Sequence, residues 1–181
     1  MKQEKTLVLI KPDGVQKKLI GEIIKRFEEN NLKVLGMKML YPNEKLAKKH
    51  YPIDEEWCKS AFEKTKKSAE EDNREIPFSN HMEFGKILQG WLVDFITECP
   101  IIAMTLEGTN AIKNVRDIVG ATEPSKADKG TIRGDLASEE SYEKANSIGR
   151  ALRNLIHASD SIENAEREIS VWFNDNELHD Y

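Results

Sequence analysis

Cysteine is scarce in this sequence. There are two, Cys58 and Cys99, too far apart in the chain for a metal-ligand spacing or a disulfide framework. That excludes a small disulfide-stapled scaffold and points to a reducing compartment, with both thiols expected as small buried hydrophobes. Long apolar runs are missing too. No stretch of about 18 apolar residues is present to span a bilayer, and the short run near the N-terminus, broken by Lys11 and Pro12, is unlike a secretory leader. A cytoplasmic protein without a membrane partner is the expectation. Nor is there an excess of positive charge: 27 Lys and Arg against 32 Asp and Glu give a net charge of −5, which argues against nucleic acid as a partner. Any phosphate site must therefore gather its cations locally. The usual nucleotide signatures are absent as well, with neither a phosphate loop ending in Gly-Lys-Ser/Thr nor a Gly-x-Gly-x-x-Gly turn after a strand.

What is present suits a water-soluble domain. The 181 residues, 39% hydrophobic and 33% charged, can close one real core. Thr6 to Ile10 is a continuous apolar run, the pattern of a strand buried on both faces, and Lys11-Pro12-Asp13-Gly14 reads as a turn after it. Ile20, Ile23, Ile24 and Phe27 form a helical stripe that Asn30-Asn31 would end. Lys33 to Leu40 alternates as a second strand. Residues 42–75 are rich in Lys and Glu and read as exposed helices or a surface excursion. Phe84, Ile87, Leu88, Trp91, Leu92 and Phe95 mark a helix that Pro100 breaks, and Ile101 to Leu106 a third strand. Ile112, Val115 and Val119 mark a further helix, followed by a loop from Gly120 to Asp135. A polar helical stretch over about 138–153 leads to a short strand at Leu155-Ile156 and a last helix through Ile162, Ala165, Ile169 and Trp172, with Asp160 and Glu163 as its capping pair. Strands alternating with helices in this order predict a single-domain α/β sandwich, its helices packed on a sheet.

Three segments carry chemistry. In Asn154-Leu155-Ile156-His157-Ala158-Ser159-Asp160-Ser161 a histidine ends a strand just before a helix N-terminus, where free N–H groups favour anions. Imidazole is a good nucleophile near neutral pH if a partner fixes its tautomer, and either Ser159 or Glu168 can be that partner. Taken alone, such a histidine reads as well as a structural residue. Gly130-Thr131-Ile132-Arg133-Gly134-Asp135 offers an arginine between glycines in a loop, able to fork two phosphate oxygens or simply to sit on the surface. Arg116 and Thr122 can share that anion site. Lys11 follows the first buried strand, at a strand end where α/β proteins often bind ligands. His50, His81 and His179 show no metal spacing and read as surface or turn residues, so no protein metal ligand is expected.

With Thr6 to Val15, these three segments resemble the nucleoside diphosphate kinase family, in the family's order, over about residues 4–51 and from about 88 onward. The resemblance implies a ferredoxin-like sandwich with a four-stranded antiparallel sheet. It also implies ping-pong transfer of a γ-phosphate from a nucleoside triphosphate such as ATP to a diphosphate through phosphohistidine. It makes His157 the nucleophile, supported by Ser159 and Glu168. Lys11, Arg116, Thr122 and Arg133 become phosphate-binding residues, Asn154 and Lys11 reach the sugar, and Tyr51 is the aromatic beside the histidine. Mg²⁺ carried mainly by the nucleotide and a homo-oligomer, hexamer or tetramer, are implied too. Two departures stand out. The family's base-stacking phenylalanine falls on Leu88, with Phe84 one turn earlier as a substitute or as core, and residues of about 52–85 and 137–147 are insertions relative to the common family length. A binding module that keeps the fold without catalysis, and a histidine phosphocarrier acting on proteins, are the competing readings.

Overall fold

The computed structural model describes residues 3–71 and 73–181; Met1 and Lys2, at the N-terminus, and Asp72, in the charged 42–75 stretch, lie outside the described residues. The chain runs through β1 (Gln3–Ile10), α1 (Pro12–Gln16), α2 (Ile20–Glu29), β2 (Lys33–Leu40), α3 (Glu44–His50), α4 (Glu55–Glu71), α5 (His81–Thr97), β3 (Ile101–Thr109), α6 (Ala111–Val119), α7 (Ile132–Leu136), α8 (Tyr142–Ile148), β4 (Ile156–Ala158) and α9 (Ile162–Trp172). The strands lie in the order β2-β3-β1-β4 and every pairing is antiparallel. This is the ferredoxin-like arrangement.

The apolar run of β1 explains its central place, because a strand with neighbours on both edges and helices on both faces has no side left for water. Val8 and Ile10 face one core with Ile23 and Phe27 of α2 and Val115 and Val119 of α6. Leu7 and Leu9 face another, with Ala47 of α3, Val93 and Ile96 of α5 and Trp172 of α9. Each large side chain taken fully from water contributes about 1.5–3 kcal/mol, so the period-2 alternation fixes the register strongly. Leu9 is directly opposite His157 in the β1–β4 pair. Opposed residues share a face, so His157 points to the side that carries α3, α5 and α9.

Local expectations fail where caps and bulges intervene. Lys11-Pro12-Asp13-Gly14 is not a plain turn: Pro12, whose fixed φ suits a helix start, opens the short α1. The register of β2 skips Leu35, which is buried, so Met37 and Met39 point outward, 54% and 56% exposed. The 120–135 segment is not all loop, since Thr131 caps Gly134 N–H and starts α7. The polar stretch 138–153 yields only α8, which ends at Gly149 with φ +71°. The last strand is Ile156–Ala158, not Leu155-Ile156, because Leu155 has φ +66°. Ser161, not Asp160, caps α9 by accepting Asn164 N–H. Residues 42–75 are less exposed than expected: α4 packs on α5 and buries Cys58, Thr65, Ser68 and Ala69. Cys58 is buried as foreseen, but Cys99 is only half-buried.

Candidate active site

The site begins where β1 ends. The Asp13 carboxylate accepts the N–H of Gly14 at 3.1 Å and of Leu155 at 2.9 Å, and Lys11 N–H donates to Leu155 O at 2.8 Å. These bonds hold Leu155 in its left-handed conformation, which costs about 1–2 kcal/mol for a residue with a Cβ. Gly14 has to be glycine here: a Cβ would lie 2.7 Å from Ile10 Cγ2 and 3.0 Å from Leu155 O. The kink turns the chain so that Asn154 and His157 both border one cleft.

Around His157 the contacts are short and mutually supporting. Its Nε2 lies 2.8 Å from Glu168 Oε2, and the same oxygen accepts the Ser159 hydroxyl at 2.6 Å. Arg167 Nη2 reaches Glu168 Oε1 at 3.3 Å. Burial alone would raise the Glu168 carboxyl, but the His157 charge and hydrogen bond, with His50 and Ser159, outweigh it and hold the acid well below the usual carboxylate range. An ionised Glu168 requires a hydrogen on His157 Nε2, which leaves Nδ1 with the free lone pair. No described residue hydrogen-bonds to Nδ1.

Cations line the same cleft as this ring. Lys11 Nζ donates to Asn154 Oδ1 at 2.8 Å, and burial, with the Arg133 charge, lowers its pKa to about 8 despite Asp13. Arg133 donates to three carbonyls, Asn154 O at 3.1 Å, Gly120 O at 2.8 Å and Ile156 O at 2.7 Å. Burial lowers Arg133 to about 10, with Tyr142 and Asp13 pulling upward and Arg116 downward, so it stays charged at neutral pH. Arg116 is exposed on α6. Asn154 completes the frame by donating to Thr122 O at 2.8 Å. A polyanion entering here meets two cations, Lys11 and Arg133, whose positions are set beforehand, with Arg116 beside them on the cleft lining.

The nucleoside diphosphate kinase family model matches residues 4–74 and 78–178 of this chain. This chain belongs to the nucleoside diphosphate kinase family. A nucleoside diphosphate kinase of Pyrobaculum aerophilum is 43% identical over 98% of this chain and 99% of its own length. One from Pyrococcus abyssi is 42% identical over 99% of this chain and 89% of its own. Among solved structures, the NDP kinase from Pyrobaculum aerophilum superposes with a TM-score of 0.91 at 40% identity, covering 99% of this chain and 100% of that one. A transition-state mimic of the Borrelia burgdorferi nucleoside-diphosphate kinase with bound vanadate and ADP gives 0.79 at 37%, covering 99% and 92%.

Nine residues singled out from the sequence border the same cleft in this family member: Lys11, Tyr51, Leu88, Arg116, Thr122, Arg133, Asn154, His157 and Glu168. Ser159 stands behind Glu168, buried against Leu7. Arg133 sits in a helix rather than a loop, bracing the floor as well as facing the cleft. Phe84 also touches the cleft but is 1% exposed against Phe62 and Phe78, so it is chiefly core, whereas Leu88 is half-buried on the cleft wall. Sequence reasoning missed Trp57, Ser60 and Lys64 of α4 and Tyr142 and Asn146 of α8, all of which line the other side. It also misread His50, which is 2% exposed and stacked edge-on to His157 rather than on the surface. The signal was there: Ala47 and His50 lie one turn apart on the buried face of α3, and Tyr51, buried at its C-cap, follows them.

Proposed function

We propose that this chain exchanges the terminal phosphate between nucleotides through His157, the role the family resemblance implies for it. Nδ1 attacks the γ-phosphorus of a bound triphosphate in line with the β–γ bridge; the N–P bond forms, the P–O bond breaks, and the diphosphate leaves with the bonding electrons. A second diphosphate then attacks the phosphohistidine by the reverse path. Lys11, Arg116 and Arg133 spread the charge of the phosphoryl oxygens, which is most of what a protein contributes to this reaction. Ionised Glu168 offsets the positive charge that develops on the ring, and Ser159 keeps Glu168 aimed. Thr122 is a further phosphate contact, Asn154 with Lys11 reaches the sugar, Tyr51 packs beside the histidine, and Leu88 meets the base without a ring to stack on. The single observation that carries this reading is the clamp of His157 Nε2 on Glu168 Oε2 at 2.8 Å, which leaves Nδ1 available beside the cations.

Magnesium fits as a companion of the nucleotide. The cleft borders two carboxylates, Asp160 and Glu168, and Glu168 is committed to His157 and Ser159. That donor set is no protein cage; Asp160 is the side chain that would hold a water of an ion carried by the phosphates. When bound, the ion would neutralise phosphate charge. We read the whole chain as one domain, with about 52–85 and 137–147 as inserted pieces that wall the nucleotide entrance. A homo-oligomer in the cytoplasm completes the reading, supported by exposed Met37, Met39 and Tyr41 on and beside an edge strand, and checked by sedimentation. No described helix is long and apolar enough to cross a membrane.

The test is incubation with γ-labelled ATP and Mg²⁺. The expected result is an acid-labile, base-stable label on His157 that discharges to added diphosphates, and none on His157→Ala. A wild type that never takes up label, or transfers it equally well without His157, would falsify the reading. Discharge to a protein acceptor faster than to diphosphates would favour a phosphocarrier.

A further inference from the structure

Behind the catalytic histidine stands a second one that phosphoryl transfer, as described, does not use. His50 closes α3, and its Nδ1 receives the indole N–H of Trp172, from α9, at 3.2 Å. An indole nitrogen only donates, so Nδ1 has to present its lone pair and the single proton of a neutral His50 sits on Nε2. That Nε2 is buried with no hydrogen-bond partner. The ring stands edge-on to His157, centroids 4.5 Å apart and planes at 86°.

His50, His157 and Glu168 bring donor atoms within 4.8 Å of one another, close enough to suggest a divalent cation. The tautomer argues otherwise. With Nδ1 taken by the indole, Nε2 carries hydrogen and has no lone pair to offer, and Glu168 Oε2 already serves His157 and Ser159. The cluster is built for controlling charge on nitrogen.

We propose that Trp172 and His50 form a positioning pair for His157, in which the indole bond keeps the adjacent ring uncharged and fixed, so that positive charge gathers on one imidazole only when phosphate adds. The inference rests on His157 being the phosphate acceptor. As Nδ1 of His157 bonds to phosphorus, its ring becomes cationic, with Glu168 as counter-charge. A second cationic ring at 4.5 Å would oppose that step. Protonating His50 at Nδ1 would set a new N–H against the indole N–H and leave both unpaired in the interior.

The surroundings agree. Burial holds His50 well below its ordinary pKa, positive charge on His157 from β4, when it forms, lowers it further, Arg167 of α9 and Lys11 after β1 add to this, and Glu168 of α9 pulls the other way. Tyr51, which packs against the His50 ring, is itself kept neutral because burial and Glu168 push its hydroxyl upward. Trp172 does not border the cleft, so its removal leaves the phosphate contacts in place.

The experiment measures the single-turnover rate of His157 labelling from γ-labelled ATP and Mg²⁺ between pH 5 and 9. In Trp172→Phe the indole donor is gone and Nδ1 of His50 is free to take a proton. The acid limb should then move up by about one pH unit, lowering the rate near pH 6 by about tenfold while the rate at pH 8 stays within about twofold. In Trp172→Phe/His50→Asn no second imidazole remains to titrate beside His157, and the limb should return to the wild-type position. A Trp172→Phe profile parallel to wild type, or a shift that persists in the double variant, overturns the proposal. No label on the wild type would instead overturn the reading of His157. Should Trp172→Phe fail to fold, ¹⁵N chemical shifts of His50 in the intact enzyme decide: the Nε2–H tautomer through pH 5–8 is expected, and an Nδ1–H or protonated ring in that range refutes it.

Discussion

The two sides of the cleft are built in different ways. The floor, from β1, β4, α7 and α9, is cross-linked by polar contacts between residues distant in sequence: Lys11 to Asn154, Asp13 to Leu155, Arg133 to three carbonyls, Glu168 to His157 and Ser159. The facing wall, from α4, α5 and α8, offers helix side chains such as Trp57, Leu88 and Asn146. One buried acid fastens it, Glu123, whose carboxylate accepts the Ser68 hydroxyl of α4 at 3.0 Å and Tyr142 N–H of α8 at 2.9 Å. On the proposed function, reaction geometry resides in the floor and substrate fit in the wall. The difference predicts that variants of the His157–Glu168 contact in the floor change kcat and that wall variants change KM.

The largest effect should come from Glu168→Gln. It keeps the shape but removes the charge that fixes the His157 tautomer, and kcat should fall about 10²–10⁴-fold with nucleotide affinity within a few-fold, measured by steady-state kinetics and calorimetry. A change in KM alone would break the comparison. Next comes the pH response of Lys11, whose folded pKa of about 8 lies below its ordinary 10.5. Diphosphate affinity should weaken as pH rises through 8, by up to about tenfold per unit, measured by titration calorimetry. Stability should move the other way. Between about 8 and 10.5 the unfolded chain binds the proton that folded Lys11 has released, so this group's contribution makes the fold more stable as pH rises. Chemical denaturation of wild type and Lys11→Met at both pH values isolates it. A smaller effect belongs to Glu123→Ala, which strands a buried hydroxyl and an N–H and should cost about 1–3 kcal/mol in denaturant titration, raising KM several-fold with kcat held. Smallest is Leu88→Phe. A ring on the half-buried wall should tighten purine diphosphates about two- to tenfold without altering kcat, as titration would show.

The same contrast governs what could be read from sequence. α2 was legible because Ile20, Ile23, Ile24 and Phe27 lie one helical turn apart and bury together, and β1 because its run is apolar without interruption. The histidine segment was singled out by its residue types, while the role of the histidine came from the family resemblance. What stayed hidden depends on partners from elsewhere in the chain. Leu35 leaves the β2 register only because β3 pairs around it, and Leu155 takes a positive φ only because Asp13 and Lys11 hold its peptide groups. His50 looks polar in sequence, yet Trp172 lies 122 positions away and supplies the bond that lets it be buried. The α4 wall was hidden for a different reason: its fully buried residues, Cys58, Thr65, Ser68 and Ala69, are small or polar, and Phe62 against Phe84 and Trp57 leave too sparse an apolar periodicity to detect.

Arg133 has a consequence for how freely such a cleft can vary. Two of its five N–H groups brace carbonyls on either side of the kinked Leu155 and a third holds Gly120 O, while its charge faces the cleft. Lysine would preserve the charge and lose the planar fork, and glutamine would keep part of the bracing and lose the charge. Electrostatics and architecture are thus inherited together at this position, and drift that tunes the one must rebuild the other.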